Sequence, residues 1–232
     1  MNQRHRLVLM PGIDGTGKLF APIIPLLEQH FELTIVTYPD LDSFTDYVDC
    51  ARGQLPEAAG FSLLAESFSG PVALTLMAQQ PGQFGPSVLA ATFARSPLAA
   101  LTRMANYVPE QVFSIGALSE FCLDVCEIED EDFSETQPLP MNVMEQVDGV
   151  LLKHRISVFS RIDISALLPD IEASVLYLRA LQDRIVAETD AQMIEEYLPD
   201  TQRIDIDAPH LLLQTRPQLC AELIINHVQT RK

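Results

Sequence analysis

Three polar residues stand where they could act on a substrate: Ser67, Asp183 and His210. Ser67 lies where the apolar run Phe61–Ala65 gives way to a helical pattern that begins at Pro71. Ala65 and Ser69 are small residues two positions to either side of it, and Gly70 relieves crowding as the helix starts. Asp183 comes just after the run Ser174–Ala180, and His210 just after Arg203–Ile206. Taken singly, each has a plain reading, as a serine helix cap or a polar turn residue. Taken together, they are the residue types of nucleophilic acyl chemistry. A serine hydroxyl is a weak nucleophile near neutral pH until a base takes its proton. His210 could be that base and return the proton to the leaving group. Asp183 could fix the imidazole tautomer and stabilise the imidazolium. Asp207 competes weakly for the acid's role, and Asp205 falls inside the last expected strand, pointing sideways.

The elements that must position these residues can be read from periodicity. Leu7–Met10, Leu33–Tyr38, Phe61–Ala65, Ser87–Phe93, Ser174–Ala180 and Arg203–Ile206 are short apolar runs, as in strands covered on both faces. Helical patterns occupy Phe20–His30, Phe44–Leu55, Pro71–Gln80, Thr189–Leu198 and Gln218–Val228. This alternation predicts an α/β fold, a mostly parallel open sheet with helices on both faces and right-handed crossovers. Ser67, Asp183 and His210 then all follow strand ends, where open α/β sheets bind ligands. Residues 97–166 break the rhythm. They show no clear strand, hold Met104, Phe113, Phe121, Met141, Met144, Leu151, Leu152 and Phe159, and include the acidic run Asp124–Glu135. They read as a helical insertion, with residues 1–96 and 167–232 as the core. The acidic run is a solvated face, since it has no glycine for a calcium loop.

The Ser67 junction resembles the G-x-S-x-G nucleophile elbow of the α/β-hydrolase superfamily, with Ala65 and Ser69 in place of the glycines. Asp183 resembles that superfamily's G-x-x-D acid, with Ala180 for Gly. His210 resembles its Gly-His, with Pro209 for Gly. The order Ser, Asp, His is the one this fold uses. The resemblance spans nearly the whole chain, which starts without the two N-terminal strands of the eight-stranded version. It implies a strained turn at Ser67, and an oxyanion hole made by the backbone N–H groups of Phe68 and Ile13. Ile13 belongs to the loop Pro11-Gly-Ile-Asp-Gly-Thr-Gly17, similar to the superfamily's His-Gly oxyanion loop with Pro11 for His. Asp14 and Phe20 are the candidate substrate contacts, although a Gly-flanked Asp is also a turn former. The loop is similar to those of the esterase and acyltransferase branch that includes plastid phytyl ester synthases. The implied activity is that of a serine esterase-type hydrolase, a carboxylesterase or thioesterase working through an acyl-Ser67 intermediate. An alcohol acceptor would make it an acyltransferase. Residues 97–166 would be its helical lid.

Gly12–Lys18 offers a rival of another class, because it matches the phosphate-binding G-x-x-x-x-G-K. Leu19 stands where that motif needs Ser or Thr for magnesium. A catalytically silent binding module on the same fold is a further alternative. Composition narrows the partners. The net charge is −17, from 32 acidic and 15 basic residues, which argues against nucleic acid and anionic membrane surfaces. The expected partner is a small, neutral, largely apolar acyl substrate, favoured by a lid rich in Met, Phe and Leu. No apolar run approaches a membrane span of roughly 18 residues, and Leu7–Met10 is too short for a signal-peptide core. A cytoplasmic protein with reduced thiols at Cys50, Cys122, Cys126 and Cys220 is expected. No metal ligand set is visible, so neither a metal nor a cofactor is implied.

Overall fold

The computed structural model describes residues 4–97 and 148–231. The expected lid residues Met104, Phe113, Phe121, Met141 and Met144, the acidic run, Cys122 and Cys126 lie outside them. Six strands form one parallel sheet: β1 His5–Met10, β2 Phe31–Ile35, β3 Ser62–Glu66, β4 Ser87–Ala90, β5 Val175–Ala180 and β6 Thr201–Ile206. Their order is β2-β1-β3-β4-β5-β6. The chain therefore steps outward from β1 to one edge, returns past it, and walks to the other. In β1, Leu7 and Leu9 face one layer while Val8 and Met10 face the other, and all four are fully enclosed. That is why the strand reads as a continuous apolar run rather than an alternating one.

The helices cover both faces: α1 Ile24–Leu27, α2 Phe44–Arg52, α3 Gly70–Gln79, α4 Gly149–Phe159, α5 Glu188–Tyr197, α6 Leu212–Thr215 and α7 Pro217–Thr230. One core layer packs Val8, Met10, Leu63 and Ala65 against Tyr47, Val72, Leu76 and Phe159. The other packs Leu7, Leu9, Leu64 and Leu178 against Phe20, Ile23, Ile224 and Val228. Ser43 caps α2 by accepting from Asp46 N–H at 3.2 Å, and Asp148 caps α4 by accepting from Val150 N–H at 2.7 Å.

Three expectations shift. The helix over Phe20–His30 is instead a 3₁₀ turn, Lys18–Phe20, followed by the four residues of α1. Pro22 and Pro25 explain this, because each removes a backbone donor that a continuous helix needs. The strand expected over Ser87–Phe93 ends at Ala90, where Ala91 takes φ 45° and turns the chain out of the sheet. Residues 148–166, assigned to the insertion by composition, pack into the main body. Ser96 N–H donates to Ile162 O and Ile164 N–H to Ala94 O, and Phe159 belongs to the core. Among the described residues no helix is long and apolar enough to cross a membrane.

Candidate active site

Strand β3 delivers Ser67 through a one-turn 3₁₀ segment, Ser67–Ser69, into α3. Ser67 has φ 46°, a left-handed conformation rare outside glycine. The turn is held from both sides. Thr92 Oγ1 donates to Ser67 O at 2.5 Å, and Ser69 Oγ donates to Pro11 O at 2.5 Å. Gly70 is required here, since a Cβ on it would fall 1.8 Å from Thr92 Oγ1.

His210 comes from the loop after β6. Its Nε2 lies 2.9 Å from Ser67 Oγ, across 143 residues of sequence. Its Nδ1 lies 2.7 Å from Asp183 Oδ2. Asp183, in the loop after β5, is itself fixed, because its Oδ1 accepts from the N–H groups of Ile185 and Val186 at 2.8 and 2.9 Å. The side chains of His210 and Asp183 are 6% and 3% exposed, so the pair is shielded from water. Burial alone would pull the His210 imidazole down. The Asp183 carboxylate, with Glu66 beyond it, outweighs that effect and holds His210 above its ordinary 6.5. Asp207 is exposed and accepts from Gln182 instead.

The loop after β1 lies beside the nucleophile. A Cβ on Gly12 would be 4.0 Å from Ser67 Cβ and 3.7 Å from Glu66 Oε2. Gly12, Ile13, Asp14 and Gly15 form a tight turn closed by Gly15 N–H to Gly12 O at 3.0 Å. Asp14 is 1% exposed and accepts from Thr16 N–H and Oγ1 at 2.9 and 2.5 Å, which is the turn-forming role open to a Gly-flanked Asp. Burial raises its carboxyl above the usual range.

Phe20 is placed in the core. It is fully buried in the core layer of Leu7, Leu9 and Ile23. Phe68 has its ring in a cluster with Tyr38, Tyr47 and Phe159, the last centred 3.6 Å away. The loop is also poorly suited to phosphate. Its Gly15, Thr16 and Lys18 N–H groups are bonded within the loop, a buried carboxyl sits among them, and no helix of useful length follows.

Three residues escaped the sequence reading. Glu66 is 2% exposed directly before Ser67. Burial pushes its carboxyl up to about 7, against an opposing hydrogen bond from Gln214. Gln214, from α6, donates to Glu66 Oε1 at 2.9 Å. Arg155, in the stretch assigned to the helical insertion, is 1% exposed. The only available signal was a charged residue ending an otherwise apolar strand, at Glu66. Among the described residues no three His, Cys, Asp or Glu side chains gather as a metal site requires.

No family model and no curated protein matches this chain. Solved structures do. The α/β-hydrolase enzyme MGS-M2 from a Medee basin deep-sea metagenome library superposes with a TM-score of 0.83 at 12% identity, covering 100% of this chain and 92% of its own. A bromoperoxidase from Bacillus anthracis gives 0.81 at 15% identity, covering 98% and 92%. An enol-lactonase from Burkholderia xenovorans LB400 gives 0.79 at 14% identity, also covering 98% and 92%. The chain has the α/β-hydrolase fold.

Proposed function

We propose that this α/β-hydrolase-fold protein is a serine hydrolase that cleaves an ester-type acyl bond through an acyl-Ser67 intermediate. The observation that carries the reading is the hydrogen-bonded chain from Ser67 Oγ through His210 to Asp183, at 2.9 and 2.7 Å. His210 Nε2 takes the Ser67 proton as Oγ bonds to the substrate carbonyl carbon. The carbonyl oxygen becomes an oxyanion, and the N–H groups of Ile13 and Phe68 stabilise it. Asp183 steadies the imidazolium that results. The imidazolium then protonates the leaving group as the tetrahedral species collapses to the acyl-enzyme. Water, deprotonated by the same His210, attacks the acyl carbon and releases the acid with Ser67 restored.

The enol-lactonase of the same fold supports acyl chemistry on this scaffold. The substrate is neutral and largely apolar in this reading, its neutrality supported by the −17 net charge, which disfavours anions. Reaction with a fluorophosphonate probe tests the proposal. Stoichiometric labelling of the wild type is expected, with none in Ser67→Ala. That variant should keep its fold and lose turnover by a factor on the order of 10⁶. Labelling that survives the substitution would overturn the assignment.

A further inference from the structure

Arg155 lies outside the proposed catalytic chain but grips the loop that faces it. Its Nη1 donates to Ile13 O and to Asp14 O, both at 2.7 Å. Its Nη2 donates to Tyr38 O at 2.7 Å and more weakly to Pro39 O at 3.4 Å. These partners are main-chain carbonyls from the loops after β1 and β2, reached across 116 to 142 residues of sequence. The guanidinium lies so close over the turn that a Cβ on Gly15, at φ 66°, would meet it at 2.6 Å. The fit is bidentate and planar, which an ammonium could not reproduce.

The turn has a direct bearing on Ile13 N–H. Residues 12–15 form a four-residue turn whose ends are joined by Gly15 N–H to Gly12 O at 3.0 Å. Gly12 C=O and Ile13 N–H belong to one trans peptide plane and point in opposite directions. Holding Gly12 C=O inward therefore aims Ile13 N–H outward. The central residues of that turn are Ile13 and Asp14, and their carbonyls are the two that Arg155 Nη1 grips. A buried cation with two such bonds fixes the Ile13–Asp14 and Asp14–Gly15 peptide planes, and together with the Gly15 N–H to Gly12 O bond this holds the adjoining Gly12–Ile13 plane that carries Ile13 N–H.

We propose that Arg155, brought in on α4, is a positioning residue that clamps the 12–15 turn so that Ile13 N–H is preset toward the oxyanion formed on the substrate of Ser67. This rests on the serine-hydrolase reading above and adds to it a determinant outside the Ser67, His210 and Asp183 set. A misaimed donor weakens the bond to the oxyanion while leaving the neutral ground state almost unaffected. The loss should fall on kcat and not on KM.

The experiment compares wild type, Arg155→Lys and Arg155→Met on one neutral p-nitrophenyl ester, with melting temperature, fluorophosphonate labelling and inhibition by a trifluoromethyl ketone, which forms a serine-bound oxyanion. Displacements of about 1 Å near reacting atoms cost about 10²-fold. Arg155→Met is expected to lose about that factor in kcat with KM within about threefold of wild type, in line with that cost. The ketone's Ki should rise in step with the fall in kcat/KM. Arg155→Lys should fall between the two, which also covers the case in which Arg155→Met does not fold. A folded variant with unchanged kcat and Ki, even with a lowered melting temperature, overturns the proposal, as does a loss confined to KM. Failure of wild-type Ser67 to label would take down the serine reading and this inference together. Labelled wild type with insensitive Arg155 variants would take down this inference alone.

Discussion

At the scale of single residues, the balance at His210 sets a measurable consequence. Its imidazole is 5% exposed, and burial by itself favours the neutral ring. The neighbouring Asp183 carboxylate reverses that and raises it above 6.5. In the proposed mechanism only neutral His210 can take the Ser67 proton. A raised pKa keeps the inactive imidazolium populated to higher pH, so activity is present above that pKa and is lost as pH falls through it. The acid limb of kcat/KM should therefore sit above pH 6.5, because this profile reports the free enzyme's groups. Asp183→Asn should move the limb to lower pH, since burial then acts unopposed by the nearest charge, and should cut kcat by about 10⁴. A pH-rate profile with unchanged position and height in Asp183→Asn would remove Asp183 from the mechanism. The same loss produced by Asp207→Asn would assign the role there.

At the scale of elements, the join of β3 to α3 is where sequence and geometry constrain one another most tightly. Ser67 takes a left-handed φ, a single 3₁₀ turn leads from it into α3, and the chain just after β4 passes beside the turn with Thr92. No room is left for a side chain at Gly70, where a Cβ would lie 2.6 Å from Thr92 Cβ as well as 1.8 Å from its Oγ1. Gly70→Ala should destabilise by about 1–3 kcal/mol, the range for forced overpacking. Adding Thr92→Ala should restore part of that loss, because the two positions collide and their effects cannot add. Thermal or urea unfolding of the two singles and the double measures this, and strict additivity would show that the clash is relieved some other way. This join was legible in the sequence because small residues around a serine between a strand and a helix form a local pattern. So were the strand-end places of Asp183 and His210. Arg155 was not, because its contacts lie more than 100 residues away and composition assigned its stretch to the insertion. Phe20 was expected as a substrate contact and is found buried in the core layer, because an aromatic after such a loop can serve either a pocket or a core and sequence alone does not decide between them.

At the scale of the whole molecule, the dominant property is charge. A protein with 32 acidic and 15 basic residues repels anions at a distance. Repulsion of this kind acts on capture, altering association rates by about 10–10³-fold and fading with added salt. Apolar attraction acts on the bound state, at roughly 0.8 kcal/mol for each buried methylene. The two are separable with matched substrates. Neutral p-nitrophenyl esters of increasing acyl length should gain in kcat/KM up to an optimum, with no dependence on salt. A thioester of coenzyme A with the same acyl group should be poor at low ionic strength and should recover by about tenfold or more as salt screens the repulsion. A neutral short-chain thioester provides the control, because it shares the thioester bond without the phosphates. If the coenzyme A compound is preferred at low salt, basic groups must gather around the site despite the overall charge, and the neutral-substrate reading is wrong. If both thioesters are equally poor at every salt concentration, the discrimination lies in the bond to be broken rather than in the charge carried beside it.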